Sequence, residues 1–92
     1  MANNWWQVET SEGAKKIQQY CQDEAKNLGL DLERMSWSTD LVSQNEKYIL
    51  TIIAKTGTTE ITFSREEIED YASGRGLQKT SEKIRRTLED VL

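Results

Sequence analysis

The chain has 92 residues, with twelve Lys and Arg against sixteen Asp and Glu, no histidine, no proline and one cysteine, for a net charge of −4. That length supports one domain over 1–92, able to bury roughly 60–70% of the surface its unfolded form exposes. Without histidine the commonest general base and transition-metal ligand is missing, one cysteine completes neither a zinc set nor an internal disulfide, and no apolar run is long enough to span a membrane.

Residues 1–9 read as an N-terminal arm or short strand. Trp5 and Trp6 point to opposite sides of an extended backbone, so at most one can enter a given core face. The other is a candidate partner contact, because exposed tryptophan favours interfaces. A helix is expected from about Ser11 to Leu28. Ala14, Ile17, Cys21, Ala25 and Leu28 recur at helical spacing, Thr10 or Ser11 can cap the start, and Gly29 suits a left-handed stop. Its other side, Lys15, Lys16, Gln19, Asp23 and Lys26, reads as a solvated face.

A first strand lies within 31–39. Met35, Trp37 and Thr39 share a face, whereas Leu30 and Leu32 have the opposite parity. Either a bulge intervenes or the strand begins after Leu32. Residues 40–47 form the longer connection. Tyr48, Leu50, Ile52 and Ala54 then alternate along a second strand, and Thr59, Ile61 and Phe63 along a third. A two-residue turn at Thr56-Gly57, with Gly57 at positive φ, would set Ala54 opposite Thr59, Ile52 opposite Ile61 and Leu50 opposite Phe63; Thr56 suits such a turn less well, which leaves a slightly longer loop open.

Ser64 and Glu67 match a capping box for a short helix, Arg65 to about Ala72, with Ile68, Tyr71 and Ala72 inward. The run Ser73-Gly74-Arg75-Gly76 breaks it. A last helix starts near Leu77, or at the caps Thr80 and Ser81. Ile84, Leu88 and Val91 form its apolar stripe, which Leu77 can join. The resulting class is α+β in the order α-β-β-β-α-α: a three-stranded antiparallel meander with helices on one face and a polar opposite face.

No catalytic or cofactor motif emerges. Gly74-Arg75-Gly76 lacks the spacing and preceding strand of a phosphate loop. Glu66, Glu67, Glu69 and Asp70 diverge around a helix rather than converge on an ion. The charge distribution says more. Residues 1–74 hold seven basic and thirteen acidic side chains, whereas 75–87 hold five basic residues against Glu82. If the last helix reaches back to Arg75, then Arg75, Lys79, Lys83 and Arg86 fall within about 80° of one another. Such a stripe can meet phosphates or the acidic face of a protein.

The element order, with Gly74, Gly76, Lys79 and Lys83 opening the final helix, resembles the double-stranded RNA-binding domain. That family packs small alanines along this helix, where this chain has Glu82, Arg86, Thr87 and Asp90. Its helix also follows the third strand directly, whereas here Arg65–Ala72 intervenes, so the resemblance stops at element order. The chain is therefore expected to be a non-enzymatic binding or assembly module without a cofactor, engaging a protein or a second copy of itself. A nucleic-acid-binding accessory protein using the terminal helix is the alternative. A cytoplasmic location is expected: the lone cysteine fits a reducing compartment, and no basic-then-apolar leader or membrane span is read.

Overall fold

The computed structural model describes residues 8–40 and 47–92. Within them a 3-10 turn (Val8–Thr10) leads into α1 (Glu12–Leu28), β1 (Leu32–Asp40), β2 (Lys47–Ala54), β3 (Gly57–Ser64), α2 (Arg65–Ala72) and α3 (Leu77–Glu89). The strands form an antiparallel sheet in the order β1-β2-β3, which is the expected α+β meander.

Local signals set most boundaries. Ser11 caps α1 by accepting from the Ala14 N–H. Gly29 stops it at φ 78°, while the Leu30 N–H reaches back to the Ala25 carbonyl at 2.8 Å. Such a left-handed stop costs a side-chain-bearing residue about 1 kcal/mol or more, which glycine avoids. At α2 the Ser64 hydroxyl accepts from the Glu67 N–H, and the Glu67 carboxylate accepts from the Ser64 N–H. This is the anticipated capping box. Lys16 of α1 donates to the Ala72 carbonyl and so places a cation at the negative end of α2.

The strand pairing is shifted by two residues from the expected one. Ala54 pairs with Gly57, Ile52 with Thr59, Leu50 with Ile61 and Tyr48 with Phe63, so Lys55 and Thr56 make the turn. A two-residue slip keeps every side chain on its own face, so alternation alone could not tell the two registers apart. Gly57 is a strand residue and does not take positive φ. Tertiary contacts seat this end of the hairpin: the Thr56 hydroxyl donates to the Val91 carbonyl, and Val91 lies over Gly57. On β1, a bulge between Leu32 and Arg34 reconciles the two parities in that strand.

One core sits between the inner sheet face and the helices. Ile17 and Cys21 of α1, Leu50 and Ile52 of β2, Phe63 of β3, Ile68 of α2 and Ile84 and Leu88 of α3 are fully buried. Trp37 is half-buried at the core's edge. Its indole N–H donates to the Gln18 amide oxygen at 3.1 Å, and its ring centre lies 5.7 Å from that of Phe63. α1 and α2 approach so closely at Gly13 that a Cβ there would meet the Ile68 carbonyl oxygen at 2.0 Å.

Two expectations about α3 need correction. The helix does not extend to Arg75, because Gly74 and Gly76 on either side are both left-handed, at φ 84° and 62°. The Arg75 N–H is tied back to the Asp70 carbonyl at the end of α2. Leu77 is 42% exposed and stays out of the buried stripe.

Candidate interaction surfaces

The basic stripe of the last helix is broken up by folding. Arg75 leaves it at the left-handed link. Lys83 is partly withdrawn from solvent: its ammonium lies 3.3 Å from the Glu67 carboxylate and 4.8 Å from the centre of the Phe63 ring. Lys79 and Arg86 remain exposed. They line an open hollow of about 430 Å³ between α2 and α3, together with Glu67, Glu82, Lys83 and Thr87. The structure thus brings Lys79, Lys83 and Arg86 together and leaves Arg75 apart.

Arg85, on a different side of α3, bonds to Glu24 of α1 at 3.0 Å. The Glu24 side chain is 12% exposed, so this pair ties the two helices together. The Glu24 charge, followed by a hydrogen bond with Tyr20, pushes the Arg85 pKa up. Neither partner was singled out from the sequence. Glu24 stands beside Ala25 in the inward part of the α1 pattern, and a carboxylate on a buried flank was the available signal.

The outer face of the sheet is open among the described residues. Arg34, Ser36 and Ser38 of β1 and Thr58, Glu60 and Thr62 of β3 are exposed. Between them, Ile49, Thr51 and Ile53 of β2 are half-buried. The face is therefore not wholly polar as expected. Two isoleucines separated by Thr51 lie along its centre, flanked by hydroxyls and by one charge on each side, Arg34 and Glu60.

Trp5 and Trp6 lie outside the described residues. Where the arm enters the fold, Val8 is buried in the core, and the Ser11 N–H donates to its carbonyl. Cys21 is fully buried, and desolvation raises its thiol from 9.0 to about 12. The outward acidic residues Glu66 and Glu69 of α2 are exposed, with Glu69 accepting from Arg65 one turn earlier. No group of His, Cys, Asp and Glu among the described residues could hold a metal ion, and no helix there is long and apolar enough to cross a membrane.

No protein-family model, curated protein sequence or solved structure matches the chain.

Proposed function

We propose that this chain is a small non-enzymatic protein-binding module of a reducing, cytoplasmic environment. The observation that carries the reading is the outer sheet face, where Ile49 and Ile53 of the central strand sit either side of Thr51, among Arg34, Ser36, Ser38, Thr58, Glu60 and Thr62, with no described element over them. A short apolar strip with hydroxyl flanks suits a partner: the isoleucines supply apolar area and the hydroxyls adaptable hydrogen bonds. The chemistry of the interior is consistent with this. The only cysteine is protonated at neutral pH and out of reach of solvent, so it does not serve as a thiolate nucleophile.

The second reading, a nucleic-acid accessory, draws on Lys79 and Arg86 at one hollow. It has less behind it, since Lys83 is already matched by Glu67 and Arg75 lies off the helix. A cross-linked pull-down from nuclease-treated and untreated lysate separates the two. Capture should survive nuclease and be lost in the Ile49→Lys/Ile53→Lys variant. Capture that disappears with nuclease and ignores the isoleucine changes would promote the second reading.

A further inference from the structure

β3 is an edge strand, and no described element pairs with its outer edge. Ala54 and Gly57 close a two-residue hairpin, so Gly57, Thr59, Ile61 and Phe63 exchange their backbone hydrogen bonds with β2. The intervening Thr58, Glu60 and Thr62 turn N–H and C=O outward. Among the described residues, no backbone group of another element bonds to them. Sheet edges are commonly blunted by a bulge, a proline or an edge lysine. β3 has no proline or lysine, Glu60 is its one charge, and its register runs unbroken over eight residues. The opposite edge, β1, carries a bulge.

The ground beside the end of this edge carries a small positive excess, three cations against two carboxylates. The hollow holding Lys79, Lys83 and Arg86 adjoins the end of β3, because Glu67 in that hollow accepts from the Ser64 N–H and Lys83 covers Phe63. Glu67 answers Lys83. Lys79 and Arg86 are in no ion pair among the described residues, with Glu82 the other acid in the hollow.

We propose that the β3 edge takes an extended acidic segment of a partner protein as a fourth strand, its helix-side carboxylates meeting Lys79 and Arg86. This rests on the protein-binding reading above and gives the partner its chemistry. Main-chain pairing supplies the affinity and alternate side chains the selectivity, as in other strand additions. A second copy of the chain fits less well. Face-matched antiparallel pairing of two β3 edges centred on Glu60 sets that carboxylate against its own copy. Centring on Ile61 avoids this, yet the helix-side residues of β3, Thr59, Ile61 and Phe63, bring no carboxylate to Lys79 and Arg86 in either arrangement.

The test uses the full chain, labelled with ¹⁵N, and a capped heptapeptide alternating threonine with glutamate. Binding should saturate below about 1 mM and shift the amides of Thr58, Glu60 and Thr62. Of two peptides N-methylated on opposite alternate sets of amides, one should bind at least about tenfold more weakly and the other should keep its affinity. A threonine–lysine peptide should not bind. Lys79→Glu/Arg86→Glu should weaken the acidic peptide by about tenfold or more. Glu60→Pro removes an N–H that β2 does not use, so it should fold and lose the peptide. Should it fail to fold, the two N-methylated peptides decide alone.

The proposal is overturned if both N-methylated peptides bind like the parent, if the lysine peptide binds as tightly, or if the acidic peptide does not bind. It is also overturned if the chain dimerises through this edge in solution. Absence of peptide binding alongside nuclease-resistant capture that needs Ile49 and Ile53 would sink this proposal and leave the protein-binding reading standing.

Discussion

Replacing Gly13 by alanine tests the closest approach in the fold. In a solvated helix interior the change stabilises by about 1 kcal/mol, because alanine loses less backbone entropy and propagates the helix better. Here the added Cβ would meet the Ile68 carbonyl oxygen at 2.0 Å and the Ile68 side chain at 2.8 Å. Ordinary contact is about 3.4 Å or more, so α1 and α2 would have to part by about an ångström. The obstacle is helix backbone rather than a side-chain tip, so it cannot swing aside. Overpacking of this kind costs about 1–3 kcal/mol, and a backbone clash belongs at the upper end. Set against the helix gain, the net loss is about 2 kcal/mol. For a chain of this size that lowers the melting temperature by about 8–16 °C.

Gly57→Ala is the matched control. Its Cβ would lie 3.8 Å from Val91, an ordinary contact, and its φ is not positive. It should therefore leave stability unchanged or raise it by up to about 1 kcal/mol. Urea and thermal unfolding followed by circular dichroism give both values. A Gly13→Ala protein as stable as the parent, or more so, would mean that α1 and α2 do not meet at this point.

Ile52→Ala should cost about 2–5 kcal/mol, since Ile52 is fully buried at the centre of β2, and an unchanged urea midpoint would remove it from the core. Cys21 should resist iodoacetamide in the native state at pH 8 and react once unfolded; rapid native labelling would contradict its burial. Its folded pKa lies above its unfolded value, so the folded state holds the proton more tightly. Cys21 then favours folding fully below about pH 9, and that contribution declines as pH rises toward about 12. The difference in unfolding free energy between the parent and Cys21→Ala, followed from pH 8 to 11, should show this fall. Arg85→Ala should lower the urea midpoint because it strips Glu24 of its cation, with partial recovery in Arg85→Lys; no change would make the α1–α3 pair incidental. DNA and RNA should show no specific binding by anisotropy at about 0.15 M salt, and micromolar binding lost in Lys79→Gln/Lys83→Gln/Arg86→Gln would reverse the order of the two functional readings.

Most of the fold was legible because it is written in short-range signals. The apolar repeat of α1, the Ser64–Glu67 box and the alternation of β2 each act within a few residues. What escaped depends on distant residues. The end of the hairpin is seated against Val91, 35 positions from Thr56. The close approach at Gly13 depends on Ile68, and nothing near Gly13 announces it. The basic stripe was read as a single face because helical angles ignore both the left-handed glycines that end the helix and the acids of other elements that claim its cations.

That redistribution of charge bears on the kind of partner the chain can hold. Five cations lie between residues 75 and 87, and together they look like a phosphate-binding run. Once folded, Arg85 is committed to Glu24 across the core's margin and Lys83 to Glu67, while Arg75 sits between two turns. Lys79 and Arg86, in no ion pair among the described residues, remain together at one hollow. Two phosphate contacts on duplex DNA give a salt slope of about −1.8, far below that of proteins living on the phosphate backbone. The thirteen acids of residues 1–74 oppose even that. The strand-addition site proposed above, two positive charges beside an edge that no described element pairs, makes a different demand. Main-chain pairing can carry the binding energy there, and the charges need only select which strand is admitted. On that division of labour a modest basic flank is sufficient, whereas for nucleic acid it would have to supply nearly everything.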